Sequence, residues 1–308
     1  MRTRTMLATT LAALLAATTA TTALAQPPGI TMEMINTTLP EAGAPLAIAG
    51  PYATITEAAN AAPRYVVHRP TDLAPFPASD KLPLLVWGNG GCAIDNPRYG
   101  EFLGTIASHG FIVVTTTSVE GDPERRAQTP DDLRGAIAWA EAENARTGAP
   151  LMGKMDLEQI AVMGQSCGGF LSTSLGTDPR VDTIGLFNSG VSAPGGANAD
   201  PTRATTDTLA QVHGPILFIN GHEVDFLMET SRDNFDRTNQ VPTFYGSRHD
   251  AGHTATMYHK GGGEFANVAS NWLKYHFKGD AAAGKMFVGA DCELCTNPNW
   301  ETAAKGLE

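Results

Sequence analysis

The sequence predicts an α/β fold in which a mostly parallel central sheet carries helices on both faces. Two observations point there. Continuous apolar runs, Leu82-Pro83-Leu84-Leu85-Val86-Trp87 and Pro215-Ile216-Leu217-Phe218-Ile219, mark strands buried on both faces. Between such runs lie segments whose apolar residues recur three and four apart, so helices alternate with strands along the chain, as parallel sheets require.

In order, Gln26 to Asn60 is rich in Pro, Gly, Ala and Thr and reads as irregular chain or an edge strand. Tyr65 to Arg69 reads as a strand, then Leu82 to Trp87, which runs into Gly88-Asn89-Gly90-Gly91-Cys92. Pro97 opens a helix whose inner face holds Phe102, Leu103, Ile106 and Ala107, and Gly110 lies past its end. Phe111 to Thr117 is a β-branched strand. Thr129-Pro130-Asp131-Asp132 starts the next helix, with Thr as cap, Pro in the first turn and carboxylates at the positive end of the dipole. Leu133, Ala136, Ile137 and Ala140 form its buried face. A strand at Gln159 to Met163 precedes a helix over Phe170 to Leu175. Further strands are expected at Thr183 to Phe187, Pro215 to Asn220 and Thr243 to Tyr245. A last helix buries Phe265, Val268, Ala269, Trp272 and His276 and stops at Gly279.

Met1-Arg2-Thr3-Arg4, the Ala/Thr/Leu run that follows and Ala23-Leu24-Ala25 have the form of an export signal over residues 1–25, which leaves 26–308 as one domain. The expected location is secreted or periplasmic. A membrane anchor is the alternative for that leader; no later stretch is apolar for long enough to span a bilayer. The formal charge is −11 and becomes more negative once Arg2 and Arg4 leave with the leader. Nucleic acid and anionic lipid both call for a basic surface, so neither is an expected partner. Charged residues are 17% of the chain, few enough for a large buried core, and a monomer is expected.

The chemistry centres on Gly164-Gln165-Ser166-Cys167-Gly168. Between a strand and a helix, this spacing makes a turn so tight that small residues must flank the serine, whose hydroxyl then stands above the sheet edge. A serine hydroxyl is a weak nucleophile and needs a base, oriented by a third group. The acid is expected after the Pro215 strand, in Gly221-His222-Glu223-Val224-Asp225; Asp225 is the choice and Glu223 the runner-up. The base is expected in Arg248-His249-Asp250-Ala251-Gly252-His253; His253 is the choice, with His249 and His259 as rivals. His249 and His253 lie four apart, a metal-binding spacing on a helix, but Gly252 argues against a helix there and no metal or other cofactor is expected. Oxyanion donors are expected from the amide of Cys167 and from the glycine loop, Gly90 first and Gly91 second. Cys92 and Cys167 sit in two loops that must both face the oxyanion, which suggests that they pair; two buried thiols are the alternative. Cys292 and Cys295 would form a local second pair.

These residues resemble the α/β-hydrolase superfamily over roughly Tyr65 to Gly279, in the order Ser166, Asp225, His253. Within it, the chain is similar to the chlorophyllase-like and polyester-hydrolase (PET hydrolase, cutinase-like) branch. That likeness rests on the loop after Leu84-Leu85-Val86, on Gln165 to Gly169, on Glu223-Val224-Asp225 and on the tail from Trp272 to Cys295. The resemblance implies an α/β-hydrolase fold and a serine carboxylic-ester hydrolase acting on short to medium acyl esters and on polyesters, with a small-molecule or polymeric ester as partner. Two departures weaken aromatic polymer stacking: Gly90 and Cys167 replace an aromatic residue and Met, and Asn188-Ser189-Gly190 stands where the branch carries Trp. The Gly/Ala/Asp/Pro-rich stretch from Gly190 to Pro215 is too short for an apolar lid. The competing readings are a serine peptidase or acyltransferase on the same triad, and a catalytically dead binding protein.

Overall fold

The computed structural model describes residues 49–77, 80–119, 127–195 and 204–308. The expected leader at 1–25 and part of the Gly190–Pro215 stretch lie outside these residues.

Nine strands form one sheet: β1 (Thr54–Ala58), β2 (Tyr65–Pro70), β3 (Leu82–Gly88), β4 (Ile112–Thr116), β5 (Met155–Gln165), β6 (Thr183–Phe187), β7 (Ile216–Gly221), β8 (Thr243–Arg248) and β9 (Trp300–Lys305). Their spatial order is β1-β2-β4-β3-β5-β6-β7-β8-β9. The run from β4 to β8 is parallel, while β1, β2 and β9 extend its two edges in antiparallel pairing. The expectation of a mostly parallel α/β sheet holds.

Alternation along the strands sorts side chains onto two cores. Leu84, Val86, Ile112, Val114 and Val162 face one side, where α2 (Pro130–Ala145) and α3 (Cys167–Leu175) cover them with Leu133, Ile137, Leu171 and Leu175. Leu85, Trp87, Val113 and Met163 face the other, under α1 (Gly100–Ser108) and α6 (Gly263–Lys278), which supply Phe102, Ile106, Phe265 and Trp272. Every residue of β3 is buried, which is why its sequence shows no alternation. Each large apolar side chain so buried contributes about 1.5–3 kcal/mol.

The local signals for helix ends hold. Thr129 accepts the amide of Asp132 and the Asp132 carboxylate accepts the amide of Thr129, a closed capping box. Gly279, at φ 60°, stops α6 in the left-handed conformation. Pro97 opens a short 3-10 turn, Pro97–Tyr99, that leads into α1.

Two of the longer elements, β9 and the helix after β7, lacked a sequence signal, whereas β1 did not. β1 fell in the stretch read as irregular or edge strand, and it is an edge strand, mostly exposed. β9, Trp-Glu-Thr-Ala-Ala-Lys, has little β preference and is held by pairing with β8. Helix α5 (Met228–Arg237; a short α4, Thr206–Leu209, precedes it and α7, Ala281–Gly284, follows α6) buries Ser231, Asn234 and Phe235, so polar residues take most of its inner face and hide the period.

Candidate active site

Six parallel strands end on one edge of the sheet, and the loops leaving β3, β5, β6, β7 and β8 meet there. Ser166 sits between β5 and α3 with φ 54° and ψ −119°, a conformation L residues avoid and one that costs on the order of 1–3 kcal/mol. Its amide donates to the carbonyl of Phe187 and its carbonyl accepts from Gly169 N–H and from Ser189 Oγ, so the end of β6 and the first turn of α3 hold the turn. The glycines are steric necessities. A methyl group on Gly164 would meet the backbone of Gly168, and one on Gly88 would lie 2.7 Å from the carbonyl oxygen of Gly168. Strand β3, strand β5 and helix α3 therefore touch backbone to backbone beneath the serine.

Asp225 and His253 are brought together as expected. His253 Nδ1 lies 2.9 Å from Asp225 Oδ1, and the carboxylate is fully buried. Asp225 Oδ2 accepts from Asn188 Nδ2 at 2.8 Å and Oδ1 from Leu227 N–H at 3.2 Å. Three donors offset the cost of burying this carboxylate. The two loops are stitched by a parallel bridge between Val224 and Gly252, the residues immediately before Asp225 and His253. Phe226 stacks on the imidazole with ring centroids 4.0 Å apart and remains partly exposed.

The rivals go elsewhere. Glu223 is exposed and faces His249, whose Nδ1 is 3.3 Å from Glu223 Oε1. His249 and His253 thus serve different carboxylates, and His249 sits in the turn after β8 rather than on a helix with His253. His259 leads into the 3-10 turn Lys260–Gly262.

The glycine loop after β3 departs in one respect from expectation. Gly90 N–H donates to the hydroxyl of Tyr99 at 3.3 Å, so the first-choice donor is engaged. The amides of Gly91 and Cys167 have no acceptor among the described residues. Gly91 has φ 65° and open space around it, and Cys167 N–H is the first amide of α3, at the positive end of that helix. Cys92 and Cys167 form a disulfide with Cα atoms 5.1 Å apart, and Cys292 pairs with Cys295. The first bond joins the residue after Gly91 to Cys167.

Several residues that position this site gave no motif. Tyr99 OH donates to Gln165 Oε1 at 2.8 Å, and Gln165 Nε2 donates to the carbonyl of His253 at 2.8 Å. A Cβ at Gly90 would collide with both side chains, which explains glycine there. Asn89 N–H donates to Gln128 Oε1 at 2.7 Å, and Gln128 N–H to the carbonyl of Cys92, pinning the glycine loop from outside. Asn188, at φ 46°, bridges Asp225 and the carbonyl of Gly252. Ser189 is buried under the turn, so no aromatic ring can occupy that place. The only sequence hint was a polar Asn-Ser pair directly after Leu186-Phe187 at the end of β6.

The chain matches no protein-family model and no curated protein. Among the described residues no helix is long and apolar enough to cross a membrane.

Proposed function

We propose that this chain is a serine carboxylic-ester hydrolase of the α/β-hydrolase fold. The observation that carries the reading is the buried His253–Asp225 pair at 2.9 Å, on the same sheet edge as a serine held in a strained strand-to-helix turn. Ser166 Oγ attacks the ester carbonyl, and His253 Nε2 takes the hydroxyl proton. Asp225 holds the Nδ1–H and with it the tautomer and the charge that develops on the ring. The tetrahedral oxyanion is met by the amides of Cys167 and Gly91, and collapse transfers the proton from His253 to the departing alkoxide. Water then repeats the sequence on the acyl-serine and releases the acid, leaving the enzyme as it began.

The disulfide that joins the two donor loops suits an exported protein acting outside the reducing cytosol. The substrate is an ester with a short to medium acyl group, polyesters included. Phe226, partly exposed, stacks on His253 and with the partly exposed Leu227 and Met228 that follow it supplies an apolar surface of limited extent. Hydrolysis of p-nitrophenyl esters of rising chain length tests the reading. Activity on butyrate to octanoate that disappears in Ser166→Ala supports it; equal rates in the two proteins refute it.

A further inference from the structure

Beside the catalytic loops an exposed cation, Arg98, stands without an acidic partner among the described residues. We propose that Arg98 sets substrate specificity by receiving a free carboxylate carried by the ester. Given the ester-hydrolase reading, on which this rests, the preferred substrates are esters that end in a carboxylate: half-esters of dicarboxylic acids or oligomers of hydroxy acids.

In a chain with 32 acidic against 21 basic residues, an arginine without a carboxylate calls for a reason. Elsewhere the arginines find one: Arg69 meets Glu57 at 2.7 Å, Arg180 meets Asp178 at 2.8 Å and Arg248 meets Glu264 at 2.6 Å. At Arg98 only the backbone is engaged, its amide donating to Asn96 Oδ1 at 3.3 Å. Asp95, three residues earlier, accepts the hydroxyl of Ser118 at 3.0 Å instead. The guanidinium is therefore left for a ligand.

Its position is fixed from below. The guanidinium carbon lies 3.8 Å from the centre of the half-buried Tyr258 ring. Tyr258 packs on Tyr99 with ring centroids 5.5 Å apart, and the buried Tyr99 packs on Trp87 at 5.3 Å. An aromatic column thus runs from the core to the surface and ends in Arg98. Tyr99 also takes the amide of Gly90 and donates to Gln165, the residue before Ser166, while Tyr258 lies five residues after His253. The column is tied to the glycine loop, the serine turn and the histidine loop together. Stacking occupies the face of a guanidinium and leaves its N–H edges free, and those edges grip a carboxylate through two parallel hydrogen bonds. A fork already held on a ring loses little freedom when the carboxylate arrives.

The test measures kcat/KM of the full chain on matched pairs of esters, each with a free terminal carboxylate or the same terminus as a primary amide. One arm places the carboxylate on the acyl side, in p-nitrophenyl monoesters of adipic, suberic and sebacic acid, whose chains are too long for the acid to attack its own ester. The other places it on the alcohol side, in butanoyl esters of hydroxy acids of the same lengths. In one arm or the other, which tells the side of the scissile bond that faces Arg98, the acid should be preferred over the amide by at least about fivefold, as a well-oriented ion pair at a surface allows. Arg98→Gln should abolish that preference and Arg98→Lys should keep part of it. Raising NaCl to ~0.5 M should shrink it in the wild type. A preference that survives Arg98→Gln, or none in either arm, overturns the role of Arg98 and leaves the ester-hydrolase reading standing. Failure of the wild type to cleave any of these esters overturns both.

Discussion

The side chain of Gln165, the residue before Ser166, donates to the backbone carbonyl of His253 at 2.8 Å. Through Tyr99 the same amide reaches Gly90 of the glycine loop after β3. The serine turn, the histidine loop and the glycine loop are thus three parts of one hydrogen-bonded assembly, and most of its members are buried.

Asp225→Asn should lower kcat by about 10³–10⁴-fold, because an amide in place of the carboxylate no longer holds the Nδ1–H tautomer of His253. Glu223→Gln should cost far less, since Glu223 faces His249 from the surface. Steady-state kinetics on a soluble ester decide this. The reverse ranking would move the acid to Glu223.

Asn188→Ala should reduce kcat more than KM, because it frees Asp225 Oδ2 and the carbonyl of Gly252 at once. A loss of about 1–3 kcal/mol in stability is expected alongside, as buried polar groups lose their partner. Kinetics and denaturant melts together check it; a change confined to KM would contradict a positioning role.

The two disulfides should differ in their effect on stability. Cys92–Cys167 closes a loop with a sequence separation of 75, and the chain-entropy estimate for such a loop is about 4.5 kcal/mol. Cys292–Cys295 closes a separation of 3, worth about 1.5 kcal/mol on the same estimate. Cys92→Ala/Cys167→Ala should therefore lower the unfolding temperature more than Cys292→Ala/Cys295→Ala. Alkylation of Cys92 in the unreduced protein would rule the first bond out.

Much of this site was legible in the sequence because its parts obey strict local rules. The glycines at 164 and 168 are forced by backbone contact, and Asp225 follows a strand of obvious apolar character, β7. The supporting side chains were not legible. Tyr99, Gln165, Gln128 and Asn188 act through partners tens of residues away, and nothing in their neighbours fixes that distance. Gly90 was assigned an amide pointing at the substrate; Tyr99 takes that amide instead, a contact only the tertiary structure reveals. Helix α5 and strand β9 were missed for a related reason, since both are stabilised by what they pack against rather than by their own composition.

Acid should destabilise the fold through two histidines, the buried His68 and the half-buried His276. Desolvation lowers His68 and His276 to about 4 from the ordinary 6.5. Between these values the unfolded chain binds more protons than the folded one, so this stability is complete above about pH 6.5 and drains away as pH falls toward 4. The loss is at most about 3 kcal/mol for each histidine. Unfolding temperature against pH should fall less steeply in His68→Gln and in His276→Phe; unchanged slopes would show that other groups dominate.

The central claim is that Ser166 is the nucleophile of a covalent mechanism. The most direct measurement is mass spectrometry of the protein after exposure to a serine-directed alkyl phosphonate, followed by peptide mapping. The account predicts a single adduct on Ser166, formed as ester hydrolysis is lost and absent from Ser166→Ala. No adduct, or one on another residue while hydrolysis is lost, would contradict it.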